Sequence, residues 1–204
     1  METEKLPIAH LYRKVLFPFC NLSITSGLSV FSRVKSGDRV LAFPVRNVWD
    51  LLFPRDRIAT LSEVVEVKRE EDVSTIQLKG IRRIRLKKVV RFFHGLYAQI
   101  QDEDGAGNEK LREELRKKSQ ELVFLINVEE SDKLIHLLNF LVDMRQLTDF
   151  ISNYFVLKFP RRFQIYEEVD VTSRAKILIS VLDSMIEEMK KKRKEKEYEE
   201  KPEQ

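Results

Sequence analysis

The segment of residues 102–108, Asp-Glu-Asp-Gly-Ala-Gly-Asn, separates two stretches of chain with different hydrophobic periodicity. Before it, short apolar stretches rich in Val, Ile and Phe are punctuated by Pro, Gly and polar turns, a pattern typical of β-strands. After it, apolar residues recur at spacings of three and four, the period of an amphipathic helix. The sequence therefore predicts an α+β protein with a β-rich amino-terminal lobe, residues 1–104, and a helical lobe, residues 105–189.

The first lobe contains several stretches that predict strands. They cover residues 8–11, 22–25, 40–45, 58–67, 73–78, 84–90 and 96–101. The turn at residues 69–72 joins the fourth and fifth strands as a β-hairpin, and Gly80 indicates a bulge that resets the register of the next strand. Leu28, Phe31 and Val34 stand at helical spacing, which predicts a short helix between the second and third strands.

The second lobe has the pattern of successive helices. They begin near residues 109, 131, 144 and 170, with Asp170 as the cap of the last one. The apolar stripe of this last helix stops at Met189. Residues 187–204 carry seven acidic and seven basic side chains, so this end has no net charge. Charge pairs four residues apart allow the helix to continue over 190–204 as a charged rod, and fraying of the terminus is the alternative.

The composition excludes several classes of protein. The chain has 204 residues, of which 43% are hydrophobic and 34% charged, and its net charge is only +4, as in an ordinary soluble globular protein. No apolar run approaches the roughly 18 residues that spanning a bilayer needs. Residues 1–5 are not followed by the apolar segment of a secretory signal. The lone Cys20 excludes an internal disulfide, so we predict a cytoplasmic protein.

Few residue combinations in the chain support catalysis or cofactor binding. The three histidines lie far apart and Cys20 has no second cysteine, so ordinary histidines and a small buried thiol are favoured over a zinc site. The glycines form no phosphate-binding loop. Residues 102–113 partly match a calcium loop, but Ala106 occupies a ligand position and a polar linker is favoured. We predict no enzyme activity, no cofactor and no metal.

A run of cations without an acid occupies residues 79–91. It consists of Lys79, Arg82, Arg83, Arg85, Lys87, Lys88 and Arg91. Because Ile84 and Leu86 alternate with Arg83 and Arg85, the arginines are expected on the solvent face of a half-buried strand. Solvated charge that discourages edge pairing is the favoured interpretation. The alternative is a patch for RNA, an acidic peptide or another anionic partner.

Aromatic residues stand at the expected ends of strands and helices. They include Phe17, Phe19, Trp49, Phe53, Phe92 and Phe93. For most of them burial in the core is the expected role. If several are exposed together, they form an apolar patch suited to unfolded polypeptide.

Six short motifs occur in an order that is typical of one protein family. They are Leu6-Pro7-Ile8 with Val15-Leu16-Phe17-Pro18, Gly80-Ile81-Arg82-Arg83-Ile84-Arg85-Leu86, Tyr97-Ala98-Gln99-Ile100, Leu147-Thr148-Asp149-Phe150-Ile151-Ser152, Phe163-Gln164-Ile165-Tyr166-Glu167, and Asp170-Val171 with Arg174. Together they resemble the amino-terminal domain of Lon proteases, from Leu6 to about Lys190. The chain contains neither the Walker motifs of that family's ATPase module nor its Ser-Lys protease dyad.

The resemblance implies a PUA-like pseudo-barrel followed by a helical bundle with a long terminal helix. It also implies a non-catalytic, stand-alone protein that binds unfolded or partly folded polypeptides, with an adaptor role to Lon or another ATP-dependent protease as an extension. The six loop aromatics are then expected to make apolar contact, with Arg83 and Arg85 steering the substrate.

Two alternatives to this hypothesis stay open. One is an RNA-binding module that uses residues 79–91, although fold analogy is a weak reason and nucleic acid is not the favoured partner. The other is an oligomerisation or docking partner of full-length Lon. The sequence implies no membrane partner and does not determine the oligomeric state.

Overall fold

The computed structural model describes most of the chain. The described residues are 5–27, 34–54, 56–70, 73–90, 94–100, 108–126 and 131–199. The chain divides into two units, of which the first contains residues 1–102 and 152–169 and the second residues 103–151 and 170–204. This division differs from the expected helical lobe of residues 105–189, because the stretch 152–169 returns to the first unit.

The first unit is built around a six-stranded sheet. Its strands are β1 (Lys5–Tyr12), β2 (Asn21–Gly27), β3 (Arg39–Val45), β4 (Ile58–Arg69), β5 (Val73–Val90) and β6 (His94–Gln99). The strand order is β2-β5-β4-β3-β1-β6, and β6 also pairs with β5, so that β5, β4, β3, β1 and β6 close into a ring. The pair β1–β3 is parallel and the others are antiparallel. The predicted β-rich pseudo-barrel is thereby confirmed.

The helices follow in chain order. They are α1 (Val48–Leu52), α2 (Glu109–Ile126), α3 (Ser131–Phe140), α4 (Met144–Tyr154), α5 (Phe159–Glu167) and α6 (Val171–Glu199). Helices α1 and α5 belong to the first unit, α2, α3 and α6 belong to the second, and α4 begins in the second and ends in the first. None of the helices in the described ranges combines the length and the apolar character needed to span a membrane. The helix predicted at residues 28–34 lies outside the described residues, apart from the buried Val34.

Strand β5 is one continuous strand, whereas the sequence predicted two strands at 73–78 and 84–90. It stays continuous because β2 pairs with its first part, β6 with its second part and β4 with both. The predicted bulge at Gly80 is confirmed, since Leu61 pairs with Arg82 but the next residue, Ser62, pairs with Gly80. A bulge bends a strand and increases its twist, which allows β5 to pass from one partner to the next.

Strands β1 and β3 are buried on both faces. Ile8 and Leu41 belong to a cluster that takes residues from every strand of the ring, so this cluster fills the ring. The neighbouring Ala9 and Ala42 point the other way, into a second cluster that includes Ile24 of β2. Burial on both sides explains why β3 is an unbroken apolar run rather than an alternating one.

The turn between β1 and β2 packs directly on the bulge of β5. The N–H of Phe19 donates to the carbonyl oxygen of Gly80 (2.8 Å), and the N–H of Gly80 donates to the carbonyl oxygen of Cys20 (2.9 Å). A Cβ atom at position 80 would lie 2.3 Å from the carbonyl oxygen of Phe17. Only glycine therefore allows these two segments to come so close.

Helix α5 is fixed to the same turn by Tyr166. The rings of Tyr166 and Phe17 meet edge to face, with centroids 5.8 Å apart. The Thr60 hydroxyl donates to the carbonyl oxygen of Leu16 (2.6 Å), so the Tyr166 hydroxyl, 2.9 Å away, donates to Thr60. All of these groups are buried. This network is the physical reason why residues 152–169 belong to the first unit.

In the second unit, α2 packs against both α3 and α6. The apolar faces are buried, with Leu115 and Leu122 of α2 and Leu178 and Leu182 of α6 inaccessible to solvent. The predicted cap of α6 is confirmed, because the Asp170 carboxylate accepts the N–H of Ser173 (2.7 Å). Such a cap satisfies one of the free N–H groups in the first turn.

The charged end of α6 does not run freely into solvent along its whole length. Lys190 forms an ion pair with Glu121 of α2 (2.7 Å). Arg193 donates to the carbonyl oxygens of Phe124 and Leu125 (3.2 and 2.9 Å), in the last turn of α2. A cation at a helix carboxyl end satisfies open carbonyls and complements the helix dipole. The charged rod predicted beyond residue 190 is thus helical as far as Glu199, and its first turn is tied to α2.

A buried ion pair joins α4 to α6. The Arg174 Nε lies 3.8 Å from a carboxylate oxygen of Asp149, and both side chains are fully buried. The same Nε donates to the hydroxyl of Thr148 (3.3 Å). Asp149 and Arg174 belong to two of the sequence motifs described above, so these motifs encode a charge pair in the helical core.

We predict that Gly80→Ala destabilises the first unit, because the added methyl group must displace backbone at Phe17. The expected loss is about 1–3 kcal/mol of unfolding free energy, the cost of overpacking, measured by urea denaturation. Gly95→Ala is the matched control, since its new Cβ would meet movable side-chain ends of Leu41, Leu86 and Ile8. A loss at Gly95 that exceeds the loss at Gly80 would contradict this account.

We also predict that Arg174→Met costs about 3–5 kcal/mol, because it leaves the Asp149 carboxylate buried without its charge partner. Adding Asp149→Leu should recover part of this loss, which a double-mutant cycle measures. Lys118→Met is the control, since it removes an ion pair with Asp183 whose side chains are both partly exposed, and it should cost less than about 1 kcal/mol. Equal losses for Arg174→Met and Lys118→Met would refute the role of the buried pair.

Candidate functional site

Helix α1 presents a compact apolar surface. Three of its side chains and that of the residue after it are exposed: Val48, Trp49, Leu52 and Phe53. We call these four residues the aromatic platform. Trp49 is 66% exposed and Phe53 65% exposed, and their rings stack with centroids 6.1 Å apart and planes inclined by 13°. The spacing of four residues places both rings on one side of the helix.

The opposite side of α1 is anchored in the first unit. The Asn47 side chain caps the helix by accepting the N–H groups of Trp49 and Asp50 (3.1 and 3.3 Å). Leu51 packs against the apolar cluster that fills the ring. Asp50 is buried, although it is charged. The platform therefore stands on a fixed base rather than on a free loop.

Asp50 lies at the centre of an arginine–carboxylate cluster formed by Arg46, Asp50, Arg57 and Glu167. Arg46 donates to both Asp50 carboxylate oxygens, from Nε (3.1 Å) and Nη2 (3.0 Å), and its backbone N–H donates to the same carboxylate (2.8 Å). Arg57 bridges Asp50 (3.1 Å) and Glu167 (3.3 Å). The cluster ties α1 to β3, to the start of β4 and to α5.

The two carboxylates of the cluster respond differently to their surroundings. Burial acts to raise the pKa of Asp50, but the hydrogen bonds from the Arg46 side chain and backbone and the charges of Arg46 and Arg57 outweigh it, so this pKa is lowered. Burial raises the pKa of Glu167, and the charges of Arg46 and Arg57 offset this only in part. Asp50 is thus the firmly ionised member of the cluster.

The structure separates the aromatic residues that the sequence singled out. Trp49 and Phe53 are brought together on the platform, and Phe19 is exposed on a different turn, between β1 and β2. Phe17 is 0% exposed, so it packs in the core and is not available for polypeptide contact. Phe92 and Phe93 lie outside the described residues.

The steering role expected of Arg83 is contradicted by its burial. It was placed on the solvent face of its strand, but it is only 2% exposed, and its Nε donates to the carbonyl oxygen of Tyr166 (3.1 Å). Its guanidinium also lies over the rings of Tyr166 (5.4 Å) and Phe17 (5.9 Å). The face that alternation assigns to solvent is covered here by α5 and by the turn before β2.

The rest of the basic segment is also partly engaged. Arg85 is half-buried and donates to the carbonyl oxygen of Asp56 (3.0 Å), and Lys87 pairs with the Asp56 carboxylate (3.4 Å). Fewer cations therefore face solvent than the sequence indicates, which weakens the case for a nucleic-acid patch.

Other exposed apolar side chains occur in the second unit. Phe124 lies in the last turn of α2, and Phe140 ends α3, where it stacks on His136 with ring centroids 6.3 Å apart. The platform differs from these residues because its helix is fixed to the first unit through the buried Asp50, which binds Arg46 and Arg57. Among the described residues, no group of three or more His, Cys, Asp and Glu side chains is placed to hold a metal ion.

Several residues of this site were not predicted from the sequence. Arg46 and Asp50 are four residues apart, the only local signal for the cluster, whereas Arg57 and Glu167 reach it through the fold. Val48 and Leu52 could have been found from their helical spacing with Trp49 and Phe53.

We predict that Asp50→Asn lowers the unfolding free energy by about 1–3 kcal/mol at pH 7. Because its pKa is lower in the folded than in the unfolded chain, the Asp50 charge stabilises the fold above about pH 4 and stops doing so as the pH falls through the folded pKa. The difference between variant and parent should therefore shrink in urea titrations below about pH 4.

Glu167 should affect the stability of the fold with the opposite dependence on pH, so Glu167→Gln serves as the comparison. Its raised pKa means that protonation stabilises the folded chain at low pH and that this contribution is lost as the pH rises. Glu167→Gln should therefore cost less at pH 7 than Asp50→Asn. If Asp50→Asn lowers the unfolding free energy by the same amount at every pH, the role assigned to the Asp50 charge is contradicted.

The chain matches one protein-family model and is similar to solved structures. Residues 5–184 match the family of the ATP-dependent protease La (LON) substrate-binding domain. The N-terminal domain of the Mycobacterium avium complex Lon protease superposes with a TM-score of 0.71 at 15% identity, over 88% of this chain and 98% of that one. A Lon N-terminal domain protein from Xanthomonas campestris superposes with a TM-score of 0.53 at 14% identity, over 87% and 98%. No curated protein matches the chain.

The family motifs coincide with contacts that hold the fold together. Phe17 and Gly80 lie where a turn packs on the β5 bulge with no room for a side chain, and Asp149 and Arg174 form a buried ion pair in the second unit. At 14% and 15% identity the likeness to the solved structures shows the fold alone. The family model covers most of the chain, and it decides membership. The chain belongs to the ATP-dependent protease La (LON) substrate-binding domain family.

Proposed function

We propose that this protein is a non-catalytic polypeptide-binding protein that captures unfolded or partly folded chains on the aromatic platform. The observation that carries the proposal is the exposed stack of Trp49 and Phe53 on a helix whose other side is fixed by Asp50. Membership of a substrate-binding family supports a substrate-recognition role.

The platform has the physical properties that such capture requires. Large aromatic side chains bury much apolar area at low cost in conformational entropy, and they dominate the energetics of many interfaces. A fixed base removes the cost of ordering the binding loop. A native protein buries its own apolar side chains, so the platform selects chains in which these are exposed.

Capture of this kind needs neither ATP nor a covalent step. The binding is weak and reversible, because few anchor residues are involved. A weak, ATP-independent binder suits an adaptor that delivers chains to Lon or another ATP-dependent protease in the cytoplasm, and this is the finer form of the proposal.

We predict that Trp49→Ser and Phe53→Ser each weaken binding of an unfolded polypeptide about tenfold or more, the effect of removing an aromatic anchor. The measurement is a pull-down, followed by titration, with the unfolded and native forms of one model protein. The parent chain should retain the unfolded form and not the native one.

Phe140→Ser is the matched control, because Phe140 is an aromatic residue of the second unit that is at least as exposed as Trp49 and Phe53. It should leave binding unchanged. Equal retention of the two forms of the model protein would overturn the proposed function. A loss with Phe140→Ser but not with Trp49→Ser would move the site away from the platform.

A further inference from the structure

An open cavity of about 450 Å³ lies in the first unit between the end of β1, the end of β3 and helix α5. Its apolar wall is formed by Phe159, Pro160 and Phe163, and Arg13 and Arg46 line it as well. The guanidinium of Arg46 lies over the Phe163 ring, 4.5 Å from its centroid. A cation and an apolar surface are thus in direct contact at the cavity wall.

The charges around the cavity leave a positive excess. Arg46 and Arg57 face Asp50 and Glu167, two cations against two carboxylates, and Arg13 adds a third cation. The surplus charge favours an anionic ligand.

Two donors are available to such a ligand. Arg46 binds Asp50 through Nε and Nη2, whereas its Nη1 is 4.0 Å from the nearest Glu167 oxygen and makes no hydrogen bond within the described residues. The exposed Arg13 side chain forms no ion pair with any described residue. Guanidinium groups bind carboxylates strongly when water is partly excluded.

The backbone of Arg13 is held in an unusual conformation. Its φ of 51° lies in the left-handed region, which glycine and asparagine enter more readily than arginine. The N–H of Arg13 donates to the carbonyl oxygen of Val45 (2.9 Å), so the end of β3 fixes this turn. Strained residues of this kind are often found where a side chain must be positioned for binding.

We propose that this cavity binds the carboxyl-terminal residue of a captured polypeptide, an inference that rests on the proposed function. The apolar side chain of that residue packs against Phe159, Pro160 and Phe163, and its α-carboxylate accepts hydrogen bonds from Arg13 and from Nη1 of Arg46. Only at a chain end are a carboxylate and an apolar side chain attached to the same Cα atom. This matches the short distance between the Arg46 cation and the Phe163 ring.

The test compares two labelled, unstructured peptides that end in leucine and differ only at the terminus, one with a free carboxylate and one amidated. Fluorescence anisotropy with the full chain should show binding of the free carboxylate that is tighter by about tenfold or more, because Arg13 and Arg46 each add a charge-assisted contact. Arg13→Gln should remove most of this preference without weakening the binding of the amidated peptide, and Arg13→Lys should restore part of the preference.

Lys14→Gln is the matched control, since it removes a neighbouring exposed cation that does not line the cavity. Lys14→Gln should keep the preference for the free carboxylate. Trp49→Ser should weaken the binding of both peptides by the same factor. Equal binding of the two peptides by the parent chain would overturn the carboxylate site and leave the platform intact. Binding of neither peptide would overturn both. An amidated peptide with an internal aspartate is the last comparison. If it binds as tightly as the peptide with the free terminal carboxylate, the cavity binds carboxylates in general and the proposal is overturned.

Discussion

The first unit depends on the two-sided pairing of strand β5. This strand pairs with β2 and β4 in its first part and with β4 and β6 in its second part, so it closes the ring. The bulge at Gly80 makes the change of partner possible, and the turn that contains Phe17 packs on the bulge where no side chain would fit. Arg83 and Tyr166 then lock α5 onto the same place. The cavity and the base of the platform both follow from this arrangement.

Much of the fold could be predicted from the sequence because its signals are local. The strands, the bulge at Gly80 and the cap at Asp170 depend on neighbouring residues and on the ordinary chemistry of turns. The division of β5 into two strands was wrong, because alternation fails across a bulge whereas pairing to β4 continues on both sides of it. Local sequence patterns cannot show that β4 pairs with β5 on both sides of the bulge.

The candidate site was only partly predictable, since burial depends on residues that are distant in the chain. Arg83 alternates like a solvent-facing residue, but its partner is the carbonyl oxygen of Tyr166, which the fold brings to it from 83 positions away. Nothing in the local sequence indicates that Asp50 is buried, yet Arg46 and Arg57 both bind its carboxylate. By contrast, Trp49 and Phe53 were predicted to make apolar contact because they stand at the expected ends of strands and helices, and the structure exposes both side chains.

The central claim is that the aromatic platform contacts unfolded polypeptide, and the chain carries its own probe for it. Trp49 is the single tryptophan of the sequence, so selectively excited tryptophan emission reports on the platform. Addition of an unfolded, tryptophan-free polypeptide should shift the emission to shorter wavelength and reduce quenching by acrylamide, because the exposed indole becomes covered. Binding that is detected independently but leaves the emission and the quenching unchanged would contradict the account.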